Sequence, residues 1–174
     1  SETASITGYG AIPAPTLIAP ANNSYTNTIP TVQWKWNPDL GPAPTDYDVN
    51  VGGSDVATGI PYAAGTMSDA LPGTLADGTY TWYVEQHDPY TGTVDSTSWK
   101  FTLDRVAPEN DGTFTGAGTV VSWPAASVSD DRSGVQKIEF VIDDGVDPEW
   151  VETLPATATS YDYASLHLGD GTYQ

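Results

Sequence analysis

The sequence predicts an all-β fold in which two β-sandwich units follow one another along the chain. Fourteen Pro and 17 Gly separate short runs rich in Val, Thr, Tyr and Trp, and helical periodicity is almost absent. The phrase LADGTY at 75–80 returns as LGDGTY at 168–173, an offset of 93 residues. Short strands between turn formers are typical of sandwiches. A repeat of this length matches one sandwich domain of about 100 residues.

Four runs in the first repeat alternate apolar and polar residues, which is the pattern of strands with one buried face. The runs are TVQWKWN (31–37), DYDVNV (46–51), TYTWYVE (79–85) and SWKFTLD (98–104). Turn-forming stretches such as NPDLGPAP, GGSD, ADG and DPYTG lie between them. The apolar positions, which include five of the six tryptophans once Trp123 is added, are therefore predicted to form the core.

The second repeat begins after the linker DRVAPEN, and its strands match those of the first. Val121 and Trp123 repeat the tryptophan-bearing strand, and Ile138, Phe140 and Ile142 repeat the strand that carries Tyr47, Val49 and Val51. Residues 81–104, which complete the first sandwich, have no counterpart in the second. We therefore expect an N-terminal lead over residues 1–15, a sandwich over 16–104, and a second sandwich over 105–174 that lacks its last strands.

Two explanations of the incomplete second sandwich are open. The sequence is a window onto a longer array, or a neighbouring chain supplies the closing strand, because an unpaired sheet edge recruits further strands. The lead SETASITGYGAIPAP is either such a donated strand or the last strand of a preceding module. Both explanations imply head-to-tail assembly, with copies of this chain or adjacent modules as partners.

The chain resembles the fibronectin type III-like and immunoglobulin-like tandem repeats of bacterial and archaeal cell-surface proteins. The resemblance covers residues 16–174 and rests on PTLIAPANNSYTNTIPTVQWKW, on LADGTYTWYVEQHD, and on the segment from VAPEN to VSDDRSGVQKIEFVIDDG. It implies an extracellular structural segment, acting as a spacer or as a self-assembling subunit of a fibre or surface layer. The alternative is an adhesive or glycan-binding module, attached to a secreted enzyme or free, with surface glycans or cell wall as partner.

Composition excludes several functions. With 23 acidic residues against five basic ones, the chain has a formal charge of −18, so nucleic acid and anionic membrane surfaces are poor partners. No apolar run is long enough for a membrane span, and no cysteine provides disulfides or thiolate ligands. His87 and His167 stand in no nucleophile motif and are interpreted as turn residues, so no enzymatic activity is expected.

Acidic residues of both repeats form a candidate calcium site at the junction between the modules. Calcium binds six to eight oxygen ligands, and clustered carboxylates repel one another without a cation. The candidate ligands are Asp55, Asp77, Asp104, Glu109, Asp111, Asp130 and Asp131. The alternative is that they are solvated loop acids, since no run has the EF-hand spacing. Asp143, Asp144 and Asp147 would serve a following junction.

Two further kinds of site are suggested by single residues. Tyr83, Tyr90 and Trp150 fall outside the core pattern and are the candidate contacts for a glycan, which stacks on exposed aromatic faces. Asn22 begins the sequon NNS, a glycosylation acceptor in a secreted protein of a suitable host.

Overall fold

The computed structural model describes residues 12–36, 43–88, 92–143 and 148–168. Regular structure in these ranges consists of β-strands and two short 3-10 helices, Ala125–Ser127 and Ala164–Leu166, which confirms the predicted all-β class. The described residues include no apolar helix of membrane-spanning length. The chain divides into two compact units, here called unit 1 (Ser1–Arg105) and unit 2 (Val106–Gln174).

The described residues of unit 1 form nine strands in two sheets. They are β1 (Thr16–Ala19), β2 (Ser24–Thr26), β3 (Thr31–Lys35), β4 (Asp46–Val51), β5 (Ser54–Pro61), β6 (Thr66–Ala70), β7 (Gly78–Asp88), β8 (Gly92–Asp95) and β9 (Trp99–Leu103). One sheet has the order β1-β3-β6, and the other has the order β2-β9-β7-β4-β5 with β8 paired to β7. Strand β7 is therefore the centre of the larger sheet, hydrogen-bonded to both β4 and β9.

The core of unit 1 is built by the alternating residues that the sequence identifies. Both sheets contribute: Leu17, Val32 and Trp34 come from the smaller one, and the larger one adds side chains from β4, β7 and β9. The latter are Tyr47, Val49, Val51, Trp82, Val84, Phe101 and Leu103. Trp34 meets Tyr47 edge to face with centroids 5.6 Å apart, a favourable geometry for aromatic pairs. The predicted parity of these strands is confirmed.

Two turns of unit 1 follow from local sequence. Strands β4 and β5 are joined through Gly52 and Gly53, both at positive φ (63° and 84°), as a two-residue turn matched to strand twist requires. At the start of β7, the Tyr80 hydroxyl donates a hydrogen bond of 2.8 Å to the Ala76 carbonyl, so this tyrosine fastens the first LADGTY copy. Leu168 begins the second copy, and the rest of that copy lies outside the described residues.

Unit 2 contains seven described strands. They are β10 (Glu109–Asn110), β11 (Thr115–Ala117), β12 (Val120–Ser122), β13 (Val128–Ser129), β14 (Lys137–Asp143), β15 (Pro148–Pro155) and β16 (Ser160–Asp162). Strand β10 pairs with β13, a three-stranded sheet has the order β11-β12-β16, and β14 forms a hairpin with β15. Glu109 and Asn110 were expected in a linker, but they form a strand because β13 offers them a partner.

Five described strands of unit 2 have the same order and pairing as strands of unit 1. The β11-β12-β16 sheet matches β1-β3-β6, and the β14-β15 hairpin matches β4-β5. In unit 1, β4 has a second neighbour, β7, on its other edge. Within the described part of unit 2, β14 pairs with β15 alone. The two units therefore differ at the second edge of this strand, which is paired in unit 1.

Candidate functional site

An apolar groove runs along unit 2. It has a volume of about 480 Å³. Most of its lining is apolar or aromatic: Phe114, Val121, Trp123, Val128, Ile138, Phe140, Val141, Ile142, Tyr163 and Leu168, with Asn110 and Glu139 as the other members. The inward residues of β14 and the tryptophan that follows β12 thus face an open space, where the sequence predicts a core.

The groove has a floor of packed aromatic rings. Trp123 stacks on Phe140 with centroids 6.4 Å apart, and Phe140 meets Tyr161 at 4.8 Å. The Trp123 indole N–H donates a 2.9 Å hydrogen bond to the Ala158 carbonyl, which satisfies its polar atom. Phe114 contacts Trp123 edge to face and is 50% exposed. The rings hold the β14-β15 hairpin against the sheet that contains β12 and β16.

Equivalent residues of unit 1 are fully covered. Val49, which matches Phe140 in the sequence alignment, is 0% exposed, whereas Phe140 is half-buried. Trp34 and Trp123, which also match, are both buried. Their cover includes Trp82, Val84, Phe101 and Leu103, which come from β7 and β9. Among the described residues, fourteen apolar side chains are buried in unit 1 and only Trp123 and Ile142 in unit 2. Within the described part of unit 2, no strand pairs with β14 as β7 pairs with β4 in unit 1.

Exposed large apolar residues are concentrated in the same unit. Five of the seven in the described ranges belong to unit 2: Val106, Phe114, Val141, Trp150 and Val151. Trp150 lies opposite Ile142 across the hairpin and so shares the face of β14 that carries the buried side chain. Two of these five, Phe114 and Val141, line the groove. Exposed apolar residues that line one groove mark an interaction site more often than scattered single residues do.

A second cluster, in unit 1, joins His87 to three carboxylates. His87 Nδ1 lies 2.5 Å from Asp46 Oδ1, and its Nε2 lies 2.9 Å from Glu85 Oε1 and 3.5 Å from Asp48 Oδ2. Register explains the arrangement, because Asp46 pairs with His87 and Asp48 with Glu85 across β4 and β7. His87 is therefore a strand residue and not the predicted turn residue, since β7 continues to Asp88. His167 follows the 3-10 helix Ala164–Leu166 as its C-cap, in the left-handed conformation at φ 49°.

The surroundings of His87 favour its charged form. Its pKa is raised, first by the hydrogen bond to Glu85, with further contributions from Asp46 and Asp48, and partial burial opposes the shift. A raised folded-state pKa stabilises the fold fully below the unfolded value of about 6.5, and this stabilisation is lost as the pH rises through the folded value.

We expect the melting temperature of the wild type, relative to that of His87→Asn, to fall between pH 5.5 and pH 8.5. The physical reason is that three carboxylates lose their cation when the imidazole deprotonates. Thermal unfolding of both variants across this range measures the difference. The variant His167→Asn is the control, because its ring is exposed and bonds to the Ser165 carbonyl, not to a carboxylate, among the described residues. If the melting temperatures of the wild type and His87→Asn changed in parallel with pH, the assignment of His87 as the cation of this cluster would be wrong.

The predicted calcium ligands have local partners in their own units. Asp77 accepts hydrogen bonds from the Arg105 backbone N–H (2.9 Å) and Nε (2.6 Å), and Asp55 accepts one from Asn50 Nδ2. Asp55 lies in β5 and not in a loop. Asp130 accepts hydrogen bonds from the N–H groups of Arg132 and Gly134, which lower its pKa.

The remaining candidates are divided between the units. Asp104 is buried in unit 1, whereas Glu109 and Asp131 are exposed in unit 2. The Thr113 N–H lowers the pKa of Asp111 by bonding to its carboxylate. The site draws ligands from both units and stays a prediction. Asp143 ends β14, and Asp144 and Asp147 lie outside the described residues.

The remaining predicted site residues are the glycan contacts and the asparagine of the sequon. Tyr83 is half-buried on the outer face of β7, and Tyr90 lies outside the described residues. Trp150 is 39% exposed in unit 2. The Asn22 side-chain oxygen accepts a hydrogen bond of 2.9 Å from the Lys100 N–H. Sequence reasoning missed the His87 cluster, although acidic residues two apart in one strand and a Glu-x-His in another are its visible signal.

Comparisons with known proteins add nothing to the fold, the apolar groove of unit 2 and the His87 cluster of unit 1. No protein-family model, curated protein sequence or solved structure matches the chain.

Proposed function

We propose that the chain is a non-enzymatic structural segment of an extracellular surface protein, built from tandem immunoglobulin-like sandwiches. It serves as a spacer or as a self-assembling subunit of a fibre or surface layer. Strand pairing between modules is the physical basis of this role. Unit 1 is the self-sufficient module, and unit 2 is the one through which the chain joins to its neighbour, either an adjacent module or another copy.

The observation that carries the proposal is the apolar groove beside β14. An exposed apolar face of this kind is costly in water, at about 25 cal/mol for each Å² that a partner would cover. A sheet edge next to it offers backbone N–H and C=O groups to an incoming strand. A module that required no partner would cover its Phe140, which is only half-buried, as unit 1 covers Val49.

Assembly of the purified protein tests the proposal. We expect sedimentation and electron microscopy to reveal concentration-dependent filaments or sheets. Assembly should increase with ionic strength, because salt screens the repulsion between chains of charge −18. A variant without residues 1–11 tests whether the lead donates the joining strand. Monodisperse particles at every protein and salt concentration would count against a self-assembling subunit.

Calcium is the proposed stiffener of the junctions. We expect 5 mM Ca²⁺ to raise the melting temperature above that in chelator, because a cation that binds only the folded state stabilises it, by about 2.7 kcal/mol at 100 times its dissociation constant. Asp131→Asn should reduce the shift. Asp69→Asn, which removes a half-buried carboxylate in β6 outside the proposed set, should leave it unchanged. Identical melting with calcium and with chelator would remove calcium from the account.

The alternative function, an adhesive or glycan-binding module, is favoured by the partial exposure of Trp150. Its test is a glycan array in which the wild type binds and Trp150→Ala does not. The position of Trp150 opposite Ile142 supports a place at the rim of the apolar groove more than an isolated sugar platform.

A further inference from the structure

We propose that the groove of unit 2, together with the edge of β14 that is unpaired within the described residues, binds one antiparallel β-strand with large apolar side chains at alternate positions, chemically a copy of β7. This inference rests on the proposed function and names the partner that the joining surface accepts. The occupant is a polypeptide strand, and its specificity comes from side-chain alternation together with a single charge position.

Unit 1 supplies the template for this occupant. Strand β7 pairs with β4 in antiparallel register from Asp46 opposite His87 to Val51 opposite Trp82. The inward side chains of β7 include Trp82 and Val84, both 0% exposed. Strand β4 corresponds to β14, whose described ladder is made to β15 alone. The same chain therefore contains, in its first repeat, the kind of strand that covers this position.

The groove has the dimensions and lining for such side chains. Its volume of about 480 Å³ is bounded by Ile138, Phe140 and Ile142 from β14 and by Val121 and Trp123 across from them. Side chains of a strand alternate between its two faces, so a strand beside β14 directs every second residue into this space. A small apolar molecule would fill the groove but would leave the backbone edge unpaired.

Charge complementarity further defines the strand. When β14 is aligned on β4 through the correspondence of Ile138 with Tyr47, Glu139 takes the place of Asp48. In unit 1, Asp48 faces Glu85, and His87 lies between the two carboxylates. Glu139 is exposed and has Lys137 as its ion-pair partner. Like charges directly opposite are destabilising, so a strand with a cation opposite Glu139 fits unit 2 better than β7 itself.

A peptide titration tests the inference. The probe is the β7 peptide, residues 78–88, added to the ¹⁵N-labelled full chain under conditions in which the protein is monomeric. We expect slowed amide exchange along β14 together with a shifted Trp123 indole resonance. A peptide with Glu85→Lys should bind about two- to fivefold more tightly, because it exchanges a repulsive cross-strand pair for an attractive one. A peptide with Trp82→Asp and Val84→Asp should not bind.

Protein variants locate the site. Phe140→Ser should abolish binding of the β7 peptide, whereas Val151→Thr, on the outer face of β15, should leave it unchanged. Retention of the Trp123 indole hydrogen-bond signal confirms that the variants are folded. Unchanged β14 exchange with every peptide, equal binding of the aspartate-substituted peptide, or filling by a fatty acid without protection of β14 would overturn the inference.

The two proposals fail in different ways. Binding of the peptide by a protein that never assembles would retain the strand-binding groove and reject the self-assembling subunit. Assembly that leaves β14 unprotected would retain the subunit and reject this groove as its joint.

Discussion

Replacement of Trp82 by alanine is expected to unfold unit 1 at moderate temperature. Trp82 is 0% exposed at the centre of the larger sheet, packed edge to face on Trp99 with centroids 6.3 Å apart. Truncation of a buried tryptophan costs about 3–5 kcal/mol, through lost apolar transfer and the cavity left behind. Such a loss is a large share of the 5–15 kcal/mol that stabilises a typical domain.

Chemical denaturation followed by circular dichroism measures this loss. The matched control is Trp150→Ala in unit 2, because the removed side chain is the same but 39% exposed. We expect the control to cost about 1 kcal/mol or less, in the range of surface substitutions. A Trp82→Ala protein as stable as the control would mean that the core of unit 1 is not closed around β7.

Replacement of Phe140 by aspartate is expected to abolish assembly without destabilising unit 1. The substitution places a carboxylate on the floor of the groove, where an incoming strand would have to desolvate it. Val151→Asp is the matched control, since it adds the same charge to the exposed outer face of the neighbouring strand. Light scattering over a protein concentration series should show loss of assembly for Phe140→Asp and near-normal assembly for Val151→Asp.

Folding of the Phe140→Asp variant must be verified, because Phe140 stacks on Trp123 and Tyr161. The indole N–H of Trp123, bonded to the Ala158 carbonyl, gives a resonance that reports on this packing. Phe140→Ser is the milder substitution for the same test. Wild-type assembly of a folded Phe140→Asp protein would remove the groove from the joining surface.

Much of unit 1 could be predicted from sequence, because strand parity is a local property. Val32, Trp34, Tyr47 and Val49 alternate with polar neighbours, and each is buried as the alternation indicates. The end of β7 is less evident from sequence. The alternating run ends at Glu85, whereas pairing with β8 extends the strand to Asp88. A strand ends where its pairing with a neighbouring strand ends, and the local alternation of residues does not show which segment is that neighbour.

The functional features depend on register, which local periodicity does not contain. His87 and Asp46 are 41 residues apart and meet because β4 and β7 pair at that position. Asp46, Asp48 and Glu85 likewise come together because β4 and β7 are adjacent strands. The lining of the groove in unit 2 also depends on the pairing of β14 with β15.

Hydrogen exchange of the monomeric wild-type chain tests the central claim most directly. The account predicts that β4 amides exchange only through global unfolding of unit 1, because β5 and β7 flank them on both sides. Amides at the edge of β14 should exchange far faster in the monomer and become protected in assemblies. Protection of both edges of β14 in the monomer, equal to that of β4, would contradict the account.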